Sequence, residues 1–422
     1  MSNGQDRSVA ALSINGDRFM KRIEAIGAIG ALANGGVCRL AFSPEDVQAR
    51  GQVQRWMVEA GMKVRTDAAG NIIGRYPGRY PSAPTLATGS HLDTVTNAGI
   101  YDGTYGVLAG LEVAQTLSEQ GIQLDHTLEV IVFADEERTM IGSKAMAGCA
   151  AADPQRYAHP HYAPIQPSLQ AIGGDWNTLA TAKREGELAA FVELHVEQGP
   201  VLEASGAAVG LVTGIVGQRR YLITIEGSAS HAGTTPMTMR QDALVAAAEV
   251  ILAVNQTGRA TEGDSAGEQV ATVGSMKLSP NVANTIPGQV EMTLDIRDLS
   301  NVYLDEMMTA LEAKLGEIAA STHTRIRLDP RLSNDPVPVT DQIYQTIAQV
   351  CQQMGLQTQV LPSRASHDAQ IVASIADMGM IFVPSEGGVS HSEREFTCPV
   401  HCIQGANVLL NTLLQLDKQY PC

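Results

Sequence analysis

Five side chains of the kind that bind divalent cations are spread along this chain of 422 residues. Imidazole nitrogens and carboxylate oxygens together suit Zn²⁺ and related cations, and one carboxylate can bridge two cations through its two oxygens. Two cations about 3.5–4 Å apart lower the pKa of a shared water towards ~7, which gives a nucleophile at neutral pH. We therefore predict a two-metal hydrolytic site whose ligands are His91, Asp102, Glu137, His195 and His391.

Two short motifs supply groups that would support these ligands. In His91-Leu92-Asp93 the first and third side chains lie on the same side of an extended segment, so Asp93 can hold the second ring nitrogen of His91. In the pair Glu136-Glu137 one carboxylate can bind metal while Glu136 acts as the general base. Either motif alone is more often structural, because such a tripeptide is frequent by chance and paired glutamates commonly begin a solvated helix. The order, spacing and setting of the whole set are what point to chemistry.

The setting is a series of apolar segments, each of which runs into acidic residues or histidine. Parallel strands that are covered on both faces have near-continuous apolar sequences, and functional sites gather where their carboxyl ends meet. A helix is expected over 106–117, after the polar loop that contains Asp102. We therefore predict an α/β domain with a mixed, mostly parallel sheet, whose strands include 85–88, 128–134, 190–194 and 381–383.

The middle of the chain has a different pattern, in which half-buried strands occur with amphipathic helices. Strands are predicted over 220–226, 269–275, 288–297 and 324–328, and helices over 241–254 and 302–320. A chain of this length is also too long for one ordinary core, so two domains are expected. We predict a catalytic metal-binding domain of residues 1–212 and 331–422, interrupted by an α+β sandwich domain of residues 213–330.

Composition excludes several classes of partner. The formal charge of −16 disfavours nucleic acid and anionic membranes, and no apolar run has the length of a membrane span. The first 17 residues are polar and lack a signal-peptide core, and six scattered cysteines suit reduced thiols, so we expect a cytoplasmic protein. Cys398, His401 and Cys402 are spaced like a metal clip, but a structural zinc site usually has two such pairs, so a helix N-terminus with buried thiols is preferred.

Longer motifs resemble the hydantoinase/carbamoylase family of bimetallic amidases, which are relatives of aminoacylase and the zinc carboxypeptidases. The resemblance covers nearly the whole chain, and its most specific strings are ELHVEQGP (193–200) and HAGTTPM (231–237). Its other motifs lie at 91–94, 101–107, 217–219, 284–288, 295–297, 367–368 and 388–391. One stretch departs from the family pattern: Glu137 is followed directly by Arg138, and several residues that usually come next are missing. The pocket beside Glu137 is therefore expected to have its own shape.

The resemblance implies a phosphorylase/hydrolase-like catalytic domain and an inserted lid that also forms a homodimer. It implies that one metal takes His91, Asp102 and His195, and that the other takes Asp102, Glu137 and His391. Zinc is the first choice for both metals, and manganese, cobalt and nickel also suit such ligands. A histidine at 195, where the peptidase relatives often have a carboxylate, is typical of the amidase branch. The resemblance further implies an oxyanion donor at His231 and a substrate site formed by Gln198, Gln218, Asn284, Arg297 and Gly388.

Some of these residues also have simpler interpretations. His231 alone would be a loop residue that caps a turn, and Arg297 alone would form a surface ion pair with Asp295 or Asp298. An arginine at the end of a lid strand can equally bind a carboxylate through two parallel hydrogen bonds. His367 and its neighbour Asp368 are expected to support the ligands without taking part in the reaction.

The predicted activity is hydrolysis of a ureido group on a small acid to amine, carbon dioxide and ammonia. An N-carbamoyl-L-amino acid is the leading substrate, followed by allantoate or ureidoglycolate. A dipeptidase or aminoacylase with the same two-metal site is the second choice, and His195 argues against it. A metal-dependent binding protein without catalysis is the alternative of a different class, and it predicts that replacing Glu136 leaves function intact.

Overall fold

The computed structural model describes residues 12–158, 163–259 and 269–422. Most of the N-terminal segment that was predicted to lack a signal-peptide core therefore lies outside the described residues. The strands are β1 (Lys63–Thr66), β2 (Ile72–Tyr76), β3 (Thr85–His91), β4 (Leu128–Phe133), β5 (Leu188–Val196), β6 (Val209–Ile215), β7 (Gly217–Glu226), β8 (Ser230–His231), β9 (Val270–Ser279), β10 (Thr285–Ile286), β11 (Gln289–Asp298), β12 (Arg325–Asn334), β13 (Val337–Pro338), β14 (Thr358–Ser363) and β15 (Asp377–Val383).

The α-helices are α1 (Gly16–Gly27), α2 (Pro44–Glu59), α3 (Thr104–Glu119), α4 (Ile141–Met146), α5 (Ile165–Ala171), α6 (Val201–Ser205), α7 (Ala243–Gly258), α8 (Asn301–Thr322), α9 (Asp341–Gln353), α10 (Asp368–Val372) and α11 (Pro399–Gln419). Among the helices of the described ranges, none combines the length and apolarity needed to cross a bilayer.

The chain forms two compact units. Unit 1 consists of Met1–Thr213, Val339–Leu361 and Ser366–Cys422, and unit 2 consists of Gly214–Pro338 with Pro362–Ala365. The sequence boundaries were placed at 212/213 and 330/331. The units instead change at 213/214 and 338/339, so the first boundary differs by one residue and the second by eight. The second lies later because β12 continues to Asn334, beyond the run of alternating residues that was recognisable as a strand, and β13 follows it.

The sheet of unit 1 has the strand order β1-β2-β4-β3-β5-β15-β6. Its four central strands are mutually parallel, since β3 pairs in parallel with both β4 and β5, and β5 with β15. The outer pairs β1–β2, β2–β4 and β15–β6 are antiparallel. This mixed, mostly parallel arrangement confirms the predicted fold class.

Helix α3 packs directly against the central strands of unit 1. Nearly every residue of the helix is buried, which matches its apolar sequence, and β3 and β4 are buried along their whole length. Gly106 permits this close approach, because a Cβ atom at this position would collide with the carbonyl oxygen of Leu194 in β5. The packing fixes the start of α3, and with it Asp102, beside the ends of the strands.

Unit 2 contains an antiparallel sheet with the order β12-β7-β11-β9. Helices α7 and α8 cover one face of this sheet, and their apolar residues form one core with those of β7 and β11. The strand β11 shows the expected alternation, with Val290, Met292, Leu294 and Ile296 all buried. Unit 2 is therefore an α+β sandwich, as the sequence pattern predicted.

Candidate metal centre

The predicted ligands of unit 1 lie at the carboxyl ends of neighbouring strands. In the sheet order β4-β3-β5-β15, His91 ends β3 and His195 is the next-to-last residue of β5. Glu137 follows β4, and His391 follows β15 in the loop before α11. Asp102 stands just before α3. Four parallel strands thus bring residues that are far apart in sequence to one edge of the sheet.

The first ligand group is formed by His91, Asp102 and His195, all of which are buried. Each offers one ligand atom, and these atoms lie within 4.8 Å of one another. The Nε2 atom of His195 is 3.1 Å from Oδ1 of Asp102, and the Nε2 atom of His91 is 3.8 Å from the same oxygen. The three donors therefore surround a point that one cation would fill.

Hydrogen bonds to the other ring nitrogens orient both histidines. The Nδ1 atom of His195 donates to the carbonyl of Val196 at 2.9 Å, and that of His91 donates to the main-chain carbonyl of Asp93 at 2.9 Å. Because a carbonyl only accepts, each Nδ1 carries a hydrogen, and in the neutral form of each ring Nε2 has the lone pair that can bind a metal. The N–H of Gly103 also donates to Nε2 of His195, at 3.2 Å.

This geometry corrects the predicted role of the Asp93 carboxylate. It was expected to hold the second ring nitrogen of His91, but its Oδ1 lies 3.8 Å away and the main-chain carbonyl makes the bond instead. The carboxylate accepts a hydrogen bond from the N–H of Glu137 at 3.2 Å. Asp93 therefore connects the end of β3 to Glu137, which follows β4.

The second ligand group consists of Asp102, Glu137 and His391, again with donor atoms within 4.8 Å of one another. The Nε2 atom of His391 lies 3.1 Å from Oδ2 of Asp102 and 3.5 Å from Oε1 of Glu137. Within the described residues, this Oε1 atom is buried and accepts no hydrogen bond. Asp102 contributes Oδ1 to the first group and Oδ2 to the second, which is the arrangement of a bridging carboxylate.

The local charge also fits cations. Burial, followed by repulsion from Asp102, raises the pKa of Glu137 to about 8. Burial and then the nearby Asp46 raise the pKa of Asp93 to about 7. Burial opposes protonation of His195, but the hydrogen bond and charge of Asp102 outweigh it and raise the pKa of this histidine to about 9. Divalent cations would neutralise the charge of these buried carboxylates, whose mutual repulsion otherwise favours the uptake of protons.

Glu136 lies beside both groups and belongs to neither. Its Oε2 atom is 3.6 Å from Nε2 of His91, and the residue is only 9% exposed. Burial and the neighbouring carboxylates Asp368 and Glu137 raise its pKa well above the ordinary value. A carboxyl group in this position can exchange a proton with a water held next to the ligands.

Three residues in or beside the two ligand groups have a left-handed backbone conformation. Asp135, Gln198 and His391 all have positive φ, at 58°, 59° and 51°, although none of them is glycine. Such conformations cost free energy and persist where the surrounding contacts require them.

Gln198 donates from Nε2 to Oδ2 of Asp102 at 2.9 Å and to Oγ of Ser390 at 3.3 Å. Gly388, the other predicted substrate contact in unit 1, has φ of 63° and leaves no room for a Cβ atom beside Pro200.

Two buried glutamates near the ligands were not singled out from the sequence. Glu193 accepts hydrogen bonds from Oγ of Ser90 at 2.7 Å and from the N–H of Ala369 at 3.0 Å. Glu193 and His195 are two residues apart in β5, so their side chains lie on the same face of the sheet. This spacing is the signal that could have revealed Glu193. Glu395 accepts from the N–H groups of Tyr101 and Asp102, at 2.8 and 3.1 Å, and so holds the loop that carries Asp102. No spacing in the sequence predicts this second contact.

His367 lies next to His195, as expected for a supporting residue. The two ring centroids are 4.5 Å apart, and His367 is buried. Its Nδ1 or Nε2 lies within 4.8 Å of donor atoms of Glu193 and His195, so these three residues form a further group of metal-binding type. Burial, with the positive charge that His195 can carry, lowers the pKa of His367 well below its ordinary value.

Two further predicted residues lie close together within unit 2. The short strands β8 and β10 pair with each other, and this pairing places His231 opposite Thr285, the residue after Asn284. The Nδ1 atom of His231 accepts hydrogen bonds from the N–H groups of Gly233 at 3.0 Å and Thr234 at 3.3 Å. The ring hydrogen of a neutral His231 is therefore on Nε2, and this exposed residue presents an N–H donor.

The other predicted residues of unit 2 surround Asp295. Arg297 donates from Nε to Oδ1 of Asp295 at 2.9 Å, and from Nη1 to the carbonyl of Arg364 at 2.5 Å. Gln218, which pairs with Arg297 across β7 and β11, also donates to Asp295. The ion pair that was considered as the simpler interpretation of Arg297 is thus present, with Asp295 as its partner.

Comparisons with known proteins match most of this chain, including every residue of the two ligand groups. The model of Peptidase family M20/M25/M40 matches residues 87–415. An N-carbamoyl-L-amino acid amidohydrolase of Geobacillus stearothermophilus is 40% identical over 411 residues, which cover 96% of this chain and 99% of that protein. An allantoate amidohydrolase of Bacillus subtilis is 35% identical over 401 residues, covering 93% of this chain and 96% of that protein.

A solved structure gives the same result. The crystal structure of an amidase of the hydantoinase/carbamoylase family from Burkholderia multivorans has a TM-score of 0.90 and 36% identity, and the match covers 98% of this chain and 100% of that one. The resemblance that was based on sequence motifs is thereby confirmed. With most of its length matched, this chain belongs to peptidase family M20/M25/M40, and its relatives there include amidases of the hydantoinase/carbamoylase type.

Proposed function

We propose that this protein is a metal-dependent amidohydrolase that removes the carbamoyl group from N-carbamoyl-L-amino acids. The products would be the amino acid, carbon dioxide and ammonia. The observation that carries the proposal is the division of Asp102 between two ligand groups, one with two histidines and one with Glu137 and His391. Relatives named as N-carbamoyl-L-amino acid amidohydrolases favour this substrate class. Relatives that act on allantoate or ureidoglycolate make those ureido acids the alternative.

The two ligand groups would each hold one divalent cation. Cations bound there would supply Lewis acidity, which acidifies a water and polarises the carbonyl of the scissile group. We propose zinc first, because mixed imidazole and carboxylate ligands suit it, with manganese, cobalt and nickel as alternatives. The free thiols of the six cysteines agree with the reducing cytoplasm that we propose as the location.

Glu136 is proposed as the group that transfers the proton. It is buried beside His91 and is not needed as a ligand, so its carboxylate is free to take a proton from the attacking water. The same carboxyl can then give this proton to the leaving nitrogen of the substrate. One residue that acts first as base and then as acid needs a pKa close to the working pH, and burial shifts Glu136 in that direction.

His231 is proposed as the donor to the developing oxyanion. Two main-chain N–H groups occupy its Nδ1 atom and leave the hydrogen on Nε2. A fixed donor of this kind stabilises negative charge as it forms, and losing one typically costs about 10²–10³ in kcat. Asn284, next to the partner strand of His231, would contact the same part of the substrate.

Arg297 is proposed to bind the carboxylate of the substrate. Its Nε atom contacts Asp295, whereas its Nη2 atom lies 3.5 Å from that residue, at the limit of a hydrogen bond. Asp295 is also the acceptor for Arg220 and Gln218, so it does not depend on Arg297 alone. A substrate carboxylate could therefore take over part of the guanidinium. Gln198, Gln218 and Gly388 are proposed as further substrate contacts.

We also propose a homodimer formed through unit 2. Strand β9 is at one end of the sheet of this unit, and within the described residues it pairs only with β11. Its residues Ser275, Met276 and Lys277 are exposed. An edge strand with unpaired main-chain groups can bind the same strand of a second copy.

A panel of substrates tests the proposed activity directly. The purified protein is stripped with a chelator and then supplied separately with Zn²⁺, Mn²⁺, Co²⁺ or Ni²⁺. Ammonia release is measured with N-carbamoyl-L-amino acids, their D-isomers, allantoate and ureidoglycolate, and amine release with N-acetyl amino acids and dipeptides. We expect metal-dependent ammonia release from the N-carbamoyl-L-amino acids. Cleavage of acyl or peptide bonds with all ureido acids inert would instead assign an aminoacylase or dipeptidase.

A further inference from the structure

Arg39 is a fully buried arginine whose guanidinium, among the residues that the structure describes, has no carboxylate as a hydrogen-bond partner. Its Nε donates to the carbonyl of Leu92 at 2.7 Å, and its Nη2 donates to Oγ1 of Thr104 at 2.9 Å. Its Nη1 donates to the carbonyls of Ile26 at 3.0 Å and Ile29 at 2.9 Å, at the C-terminal end of α1. All four acceptors are neutral.

Burying such a charge without a bonded carboxylate is unfavourable. Burial lowers the pKa of Arg39 to about 10, so the side chain remains a cation at neutral pH. Asp46 and Asp93 offset part of this effect through space. A buried charge of this kind is weak evidence for overall stability, because an apolar side chain of similar size often packs as well. The contribution of Arg39 is then to hold in place the groups that it contacts.

The contacts of Arg39 connect the segments that carry two metal ligands. Leu92 stands between His91 and Asp93, and Thr104 is two residues beyond Asp102. The guanidinium is planar and rigid, so its Nε and Nη2 atoms hold their two acceptors at a fixed separation. The main chain of Arg39 adds two bonds to the first segment: its N–H donates to Oγ1 of Thr94 at 2.8 Å, and its carbonyl accepts from the N–H of Thr94 at 2.9 Å.

We propose that Arg39 is a positioning residue that sets the separation of His91 and Asp102 and thereby the affinity of the first metal site. The proposal rests on the proposed function only in requiring that these residues bind a cation. It does not depend on which substrate is cleaved. Groups that orient metal ligands without touching the metal typically contribute about 10–100-fold to affinity.

Binding of Zn²⁺ and Co²⁺ to the stripped full-length protein tests this proposal. Affinity and stoichiometry are measured by competition with a chromophoric chelator, and the visible spectrum of bound Co²⁺ reports the coordination geometry. The variants are Arg39→Met, which removes all four bonds, and Arg39→Lys, which keeps the charge with fewer bonds. Thr104→Val removes one acceptor and leaves the arginine in place, so it remains informative if the Arg39 variants fail to fold.

Arg22 provides a matched control. It is also a buried arginine, and it joins α1 to α3 through Glu112 and Gln115. Within the described part of the chain, its side chain makes no hydrogen bond to a ligand segment. We expect Arg39→Met to weaken one of the two metal sites at least tenfold and to change the Co²⁺ spectrum, with Arg39→Lys and Thr104→Val in between. Arg22→Met is expected to lower the unfolding temperature while leaving both affinities and the spectrum unchanged.

Three results would overturn the proposal. In the first, the Arg39 and Thr104 variants bind both metals as the wild type does. In the second, Arg22→Met weakens metal binding as much as Arg39→Met, which would mean a general effect of stability. In the third, the stripped wild type binds no cation. A wild type that binds two cations but cleaves no ureido acid would overturn the proposed function and leave the role of Arg39 to be decided by the affinities.

Discussion

The adjacent carboxylates Glu136 and Glu137 differ in their surroundings, and we expect different consequences when each is replaced. Glu137→Gln replaces an anionic carboxylate with a neutral amide, which is a weaker ligand, in the group with Asp102 and His391, so metal content should fall from two towards one per chain. Glu136→Gln should retain both metals and lower kcat by about 10²–10⁴, because only the proton transfer is lost. Elemental analysis and steady-state kinetics on the same preparations distinguish the two effects. A Glu136→Gln variant that keeps full activity would remove this residue from the reaction and favour a binding protein.

His231 permits a test that leaves the metal site intact. Its Nε2–H is available because Gly233 and Thr234 occupy Nδ1, so His231→Ala should lower kcat by about 10²–10³ without changing metal content. The residue is exposed, and the unfolding temperature should stay within a degree or two of the wild type. His323→Asn is the control, because His323 is an exposed histidine of the same unit whose positive φ asparagine tolerates. Equal losses in both variants would contradict a specific role for His231.

The turn before helix α3 has to place Asp102 and still leave room for His91. Gly103 has φ of 64°, and a Cβ atom there would lie 2.5 Å from Nδ1 of His91. Gly103→Ala should therefore displace His91 and weaken metal binding at least tenfold, as measured by chelator competition. Gly121 has the same φ of 64°, but none of the described residues places an atom within 4 Å of its Cβ position. Gly121→Ala thus carries a similar backbone cost, about 1–2 kcal/mol, and should bind metal normally.

Most of the elements that position the site could be predicted because their signals are local. Ser43 caps α2 by accepting from the N–H of Asp46, and Pro44 begins the helix, and both residue types are strongly preferred at these positions. The apolar run of β4 gave both the strand and its parallel, buried setting. Since parallel strands share one edge for their carboxyl ends, the grouping of His91 and His195 followed from the strand assignments.

The contacts that the sequence could not predict go through the main chain. Asp93 was expected to orient His91 with its carboxylate and does so with its carbonyl, a group that every residue possesses. Glu395 binds the N–H of Asp102, and Arg39 binds the carbonyl of Leu92, across 293 and 53 residues of chain respectively. Such bonds leave no pattern in side-chain types. They become visible only when the fold brings distant segments together.

The proposed dimer of the whole molecule can be tested with a variant that should weaken dimerisation without affecting folding. Met276 in β9 is 48% exposed and precedes Lys277, so Met276→Lys would place additional like charges on the paired edges of two copies. We expect the variant to sediment as a monomer at concentrations where the wild type is a dimer. Met239→Lys changes another exposed methionine of unit 2, which is 73% exposed and lies outside β9, and should remain dimeric. A wild type that is monomeric at all accessible concentrations would contradict the proposed dimer.

Removal of the metals should also lower the stability of the whole molecule. Without cations, Asp93, Glu136 and Glu137 are buried carboxylates that repel one another, and bound cations would relieve this repulsion. A ligand that binds only the folded state stabilises it by about 2.7 kcal/mol when its free concentration is 100 times Kd. We therefore expect a chelator to lower the unfolding temperature by several degrees and re-added metal to restore it. Glu137→Gln should show a smaller response to chelation, since one site is already impaired. An unfolding temperature that does not change while elemental analysis shows complete loss of metal would mean that the carboxylate cluster is stable without cations.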